Sequence, residues 1–143
     1  MFTVDASVWV NAYSPAEQGQ AVSLSLLEML RSTDARIVVP TPLPVELAGA
    51  IARTRGNAEL AMELAAAVLA LPSLRLVSLD ESISSVATQL AAQYGLRGAD
   101  AVYAAVARVF SCDLVSLDHE HLTRLTDVVP TLTPSDALER IKR

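Results

Sequence analysis

Short apolar runs alternate with longer Ala- and Leu-rich stretches along the whole chain, a rhythm that predicts strands separated by amphipathic helices. Phe2-Thr3-Val4 reads as a short buried strand, followed by a helix through Ser7, Trp9 and Tyr13 that breaks near Ser14-Pro15. A second helix is predicted from Glu17 to Arg31. Arg36-Ile37-Val38-Val39-Pro40 is the next strand. Thr41-Pro42 then opens a helix, with Thr41 as its cap and Pro42 at the first helical position, where a missing amide costs little. Two helices follow, split at Arg55-Gly56-Asn57 and ended by Pro72. The stretch from Leu74 to Leu79 alternates like a strand, and Asp80 can cap the helix that runs to Tyr94-Gly95. Leu96-Arg97-Gly98 leads into a helix holding Asp100. Asp113 to Asp118 gives a fourth strand signal, Asp127 to Leu132 a weaker fifth, and Thr133-Pro134-Ser135 opens a short terminal helix.

Strands that alternate with helices predict an α/β fold with a mainly parallel central sheet, covered by helices on both faces. A chain of 143 residues suits one domain, 1–143, and no repeat, linker or low-complexity segment divides it. Ala and Leu supply most of the apolar surface, since aromatic residues make up only 4% of the chain, and some of that surface is left for a partner. The longest apolar run, Leu64 to Leu71, is too short to span a bilayer, and the amino terminus lacks a basic segment followed by an apolar one. A cytoplasmic protein is expected. Cys112, the single cysteine, sits in an apolar stretch and reads as core packing.

Four acids fall where an apolar run gives way to a helical pattern: Asp5, Glu46, Asp100 and Asp118. In an open parallel sheet, ligands bind outside the carboxyl ends of the strands, so acids placed there converge although they lie far apart in sequence. Two carboxylates about 4 Å apart repel by about 4 kcal/mol at an effective dielectric near 20, so such a cluster needs a cation. Hard divalent ions such as Mg²⁺ or Mn²⁺ supply it. Each acid also has a plainer explanation. Asp5, Asp100 and Asp118 lie where helices begin and can act as caps, and Glu46 can be a solvated helix residue. Small neighbours on the Glu46 face, Gly49 and Ala50, leave room for a phosphate that Arg53 could meet; Arg97 is a substrate contact or a surface charge. Ser7 and Ser116 can cap, or can hold a carboxylate or a water.

The net charge of −5 argues against a broad nucleic-acid surface but not against a local one, and ten of the eleven cations are Arg, whose planar fork suits phosphate. His119 and His121 flank Glu120 but find no partner pair for a tetrahedral zinc site, so this segment reads as a solvated turn. Tyr103 reads as packing.

Asp5-Ala6-Ser7, Glu46 within Pro44-Val45-Glu46-Leu47, Arg97-Gly98-Ala99-Asp100-Ala101 and Leu114-Val115-Ser116-Leu117-Asp118 together resemble the PIN-domain nucleases, over nearly the whole chain. The similarity is greatest to the small VapC-type toxins of toxin-antitoxin pairs. What the resemblance implies is a three-layer α/β/α fold, Mg²⁺- or Mn²⁺-dependent endoribonuclease activity, a homodimer and inhibition by a cognate antitoxin. By position, Asp5, Glu46 and Asp100 match the family's three central acids, Asp118 its fourth, and Ser7 and Ser116 its small hydroxyl positions. Asp5, Asp100 and Asp118 would hold the metal. His121 departs from the pattern, since such toxins often carry an aromatic residue there.

Two other functions compete. A phosphotransfer enzyme usually needs a lysine near the phosphoryl group, and Lys142 is badly placed; no Gly-rich phosphate loop occurs either. A non-catalytic module of the same fold would use its acids to recognise an arginine of a protein partner. The Ala- and Leu-rich hairpin from Leu43 to Leu71 is a candidate apolar surface for a second subunit or an amphipathic partner.

Overall fold

The computed structural model describes residues 1–143 and contains, in order, β1 (Phe2–Val4), α1 (Ala6–Ala12), α2 (Gln20–Ser32), β2 (Ile37–Pro40), α3 (Pro42–Arg55), α4 (Ala58–Leu69), β3 (Leu74–Val77), α5 (Glu81–Tyr94), α6 (Gly98–Val109), β4 (Asp113–Val115), α7 (His119–Arg124), β5 (Thr131–Leu132) and α8 (Pro134–Lys142). The five strands form one sheet in the order β3-β2-β1-β4-β5, and every pairing is parallel. The α/β architecture expected from the alternation is therefore present, and the sheet is wholly rather than mainly parallel. Its direction of winding reverses between β1 and β4. Crossovers from β1 through β2 to β3 step one way and the return to β4 steps the other, so right-handed connections put α1–α4 and α5–α6 on opposite faces. The contacts agree: α6 packs on β1, β2, β4 and α5, whereas α1 packs on α2 and α3, and α2 on α8. No helix is long and apolar enough to cross a membrane.

The central strands β1 and β2 are buried along their whole length, as strands covered on both faces must be. Trp9 is fully buried beneath β1 and donates its ring N–H to the Val4 carbonyl at 3.2 Å, which satisfies its one polar atom. Cys112 is buried, as expected of a packing residue.

Several boundaries differ from the sequence pattern. The third and fourth strands stop at Val77 and Val115, before Leu79 and Asp118, because their neighbours end there: β1 has three residues and the chain then turns into helix. The freed segment Ser116-Leu117 becomes part of the site. Helix α2 starts at Gln20, not Glu17, behind Gly19 with φ of 81°, a conformation that suits a residue without Cβ. Glu17 instead accepts a hydrogen bond from Asn11 Nδ2 at 3.0 Å. Thr41 does not cap α3; it is already helical, and its hydroxyl accepts from the Leu79 amide at 3.3 Å, tying the ends of β2 and β3 together. Asp80 caps α5 as its position predicted, accepting from the Ile83 amide at 2.9 Å.

Candidate active site

Where the winding reverses, the carboxyl ends of β1 and β4 part and leave a crevice, the place where parallel α/β sheets bind their ligands. Asp5 follows β1, Ser116 and Asp118 follow β4, and Asp100 enters from the first turn of α6. Asp100 is the acid that the other two share. Ligand oxygens of Asp100, Asp118 and Glu120 lie within 4.8 Å of one another, and Asp5, Asp100 and His121 form a second group of the same size that shares Asp100.

The acids are positioned by the helices they begin. Asp5 caps α1 through Oδ2, which accepts from the Ser7 amide at 3.1 Å and lies 3.4 Å from the Ser116 hydroxyl; no protein donor reaches its Oδ1. Asp118 caps α7 through Oδ1, 2.8 Å from the Glu120 amide, and keeps Oδ2 free of its own helix. Capping and site formation are therefore not alternatives at these two positions, because one oxygen serves each purpose. Asp5 is 5% exposed, so its charge is nearly out of water.

Glu46 stands on α3 across from this group. Its Oε2 accepts a short hydrogen bond from the Tyr103 hydroxyl. Burial raises the Glu46 carboxyl above its ordinary value, the Tyr103 bond works against that shift, and the charges of Asp5 and Asp100 push the carboxyl further up. Tyr103 is itself buried, and its phenol is held far above its ordinary value by burial and then by Glu46, so it remains a donor. The residue read from sequence as packing also orients an acid.

Asp100 is raised as well, first by burial; the Asp118 charge adds to the shift, while His121 and Arg97 oppose it. Arg97 spans two of the acids, with Nε 3.1 Å from Asp100 Oδ2 and an Nη 3.0 Å from Asp118 Oδ2. Its side chain is 73% exposed, so it lies over the mouth rather than inside. Arg53 lines a separate cleft with Ser7, Asn11, Glu46 and Leu117, folded over Gly49, where an added Cβ would come 3.3 Å from its Nη1. Ser7 closes that side by accepting from the Leu117 amide at 3.1 Å.

His121 corrects the reading of its segment as a solvated turn. Its ring is fully buried, with Nε2 3.0 Å from the Asp100 carbonyl and Nδ1 2.9 Å from Ser116 Oγ. A carbonyl only accepts, so Nε2 carries a proton and Nδ1 exchanges a hydrogen bond with Ser116. Ser116 Oγ also accepts from the Asp118 amide at 2.9 Å. One hydroxyl and one imidazole thereby link the segments that carry Asp5, Asp100 and Asp118. With both ring nitrogens engaged, His121 is not offered as a ligand even though it lies within reach of Asp5 and Asp100. His119 is exposed and takes no part.

Setting the histidine aside leaves a donor set of carboxylate oxygens alone, the ligand type that hard divalent cations prefer. A buried Glu120 oxygen, Oε2, has no hydrogen-bond partner, as expected of an acid that faces a cation. Glu120 and His121 were both missed as site residues. The one sequence signal was the i, i+4 spacing of His121 with Leu125, which puts the two on one helix face without saying that this face turns inward.

Fold and site together define a class: parallel α/β domains that gather carboxylates at the switch point of the sheet. The PIN-domain family model matches residues 2–127, and the chain belongs to that family. Its structure is similar to that of VapC20 from Mycobacterium tuberculosis, described as a sarcin-ricin loop cleaving toxin, with a TM-score of 0.71 and 17% identity over 83% of this chain and 91% of that one. FitAcB from Neisseria gonorrhoeae gives a TM-score of 0.70 and 19% identity over 94% and 99% of the two chains. VapBC2 from Rickettsia felis, solved bound to a DNA fragment from its promoter, gives 0.68 and 14% over 92% and 97%. No curated protein matches by sequence.

Proposed function

We propose that this protein is a metal-dependent endoribonuclease and the toxin of a type II toxin-antitoxin pair. The clustering of Asp5 and of Asp118 around Asp100 carries the reading, because carboxylates this close repel one another and a bound cation offsets that repulsion. PIN-family membership and the likeness to VapC20, described as a sarcin-ricin loop cleaving toxin, support it.

Mg²⁺ or Mn²⁺ held by Asp5, Asp100 and Asp118 would supply Lewis-acid stabilisation of the scissile phosphate and make water a better nucleophile. The protein's own groups do the rest. Glu46, with its carboxyl raised, is suited to take the proton of the attacking water, and Tyr103 fixes its position. Attack in line with the 3′ oxygen breaks the P–O3′ bond and leaves 5′-phosphate and 3′-hydroxyl ends. Ser7 and Ser116 hold the backbone on either side of the crevice. Arg97 balances the charges of Asp100 and Asp118, and a cation held by the acids would free it to join Arg53 in binding substrate phosphates.

A second reading has its own observation. Arg97 shows that a guanidinium fits between Asp100 and Asp118, so the pocket of a non-catalytic module would accept an arginine from a protein partner in the same way. In a toxin, that contact would serve a cognate antitoxin. The hairpin α3–α4, which exposes Val45, Met62 and Leu69, is the proposed surface for a second subunit or for the antitoxin.

Incubation of the partner-free protein with total RNA and Mg²⁺, Mn²⁺ or chelator, followed by mapping of the cut ends, tests the proposal. Cleavage that needs the metal, leaves 5′-phosphates and disappears in Asp5→Asn supports the nuclease; no cleavage with any metal leaves the binding module.

A further inference from the structure

At the opposite end of the sheet, beneath the amino ends of β2 and β3, lies a cleft of about 520 Å³ that the site above does not use. Arg31 from the end of α2, Arg36 from just before β2 and Arg75 from β3 all line it, and Asp34 is its one acid. Three of the chain's eleven cations therefore share one concavity in a protein of net charge −5. None of the three is engaged in an ion pair, whereas Arg97, Arg124 and Arg140 are.

Arg75 lies over the Phe110 ring, 5.1 Å from its centroid. Stacking in this way holds the guanidinium plane while leaving its N–H groups free to bind an anion. Phe110 is only half-buried, and with Arg75 over its ring the outward side of the guanidinium is a plane on which an unpaired base can stack. Phosphate-binding forks and a base-stacking face in one cleft fit single-stranded RNA better than a lone small anion.

We propose that this cleft is a second RNA subsite, in which Arg31, Arg36 and Arg75 bind backbone phosphates of a single-stranded segment outside the cleavage site. The inference rests on the reading of the protein as a ribonuclease and extends it to how the substrate is held. β3 has four residues, about 13 Å at 3.3 Å per residue, so one RNA chain can pass the edge of the sheet and reach both ends.

The test uses the full chain carrying Asp5→Asn, which prevents cutting, and a labelled single-stranded RNA titrated over a range of salt. Replacing Arg31, Arg36 and Arg75 together with Gln should weaken binding about tenfold or more and flatten the log-log salt dependence by about 2, at roughly 0.7 per phosphate contact. The same three positions as Lys should keep most of the salt slope. Thermal melting checks that each variant folds, and Arg36→Glu alone should weaken binding should the triple variant not fold. Unchanged affinity and slope in folded Gln variants would overturn the subsite. So would displacement of the RNA by equimolar inorganic phosphate, which would make the cleft a small-anion site. RNA cleavage by the unaltered protein is measured beside these titrations. If metal-dependent cutting is seen and the Gln variants bind as before, only the subsite fails; if no cutting is seen, the nuclease reading fails whatever the titrations give.

Discussion

Asp5 and Asp118 each divide their two oxygens between holding a helix start and facing the crevice, and this division is what makes the two positions so sensitive. Asp5→Asn keeps the cap on Ser7 but removes the charge, so RNA cleavage should fall by about 10²-fold or more with little change in melting. Glu46→Gln separates stability from activity. A carboxyl raised by folding contributes stability at low pH, and that stability is lost as pH rises through the raised value. The metal-free Gln variant should therefore melt above the parent at neutral pH, while its cleavage rate drops. His121→Phe keeps an aromatic ring at this position but leaves Ser116 Oγ and the Asp100 carbonyl without their partner. Calorimetric titration with Mn²⁺ should show affinity about 10- to 100-fold weaker, and His121→Gln, which keeps one donor, should recover part of it.

At the scale of elements, the caps and the alternation were legible in the sequence and the ends of strands were not. Asp80 followed an alternating run and preceded an apolar helix, which is enough to identify a cap from local chemistry alone. Asp80→Ala should cost about 0.5–2 kcal/mol in denaturant unfolding and change RNA cleavage little, since the Asp80 carboxylate caps α5 and is no part of the acid clusters. Where a strand stops depends instead on how long its neighbour is. Nothing local in Ser116-Leu117-Asp118 says that β1 has already ended beside it, and so the segment that builds the site looked like more strand. Thr41 misled in the same way, its hydroxyl being taken by Leu79, a residue 38 positions later. Acids at strand ends were readable because the fold class says where such ends gather. Glu120, His121 and the Tyr103 bond to Glu46 were not, since each depends on which face of a helix turns inward.

For the whole molecule, the reversal between β1 and β4 brings Asp5 and Asp118 each into a cluster with Asp100, and the amino ends of β2 and β3 bring together arginines of the opposite charge. A net charge of −5 thus hides two poles, and sequence totals cannot show them. Binding of a cation to the folded state alone should raise stability by about 2.7 kcal/mol at a hundredfold excess over its dissociation constant, seen as a higher melting temperature with Mn²⁺ that Asp100→Asn abolishes. The most direct measurement is a crystal structure of the Mn²⁺-soaked protein with anomalous scattering recorded at the manganese edge. A peak bounded by Asp5, Asp100 and Asp118, with Arg97 moved off the acids, is the predicted result. Arg97 still bridging Asp100 and Asp118 and no anomalous peak in the crevice, at a Mn²⁺ concentration that supports cleavage in solution, would contradict it.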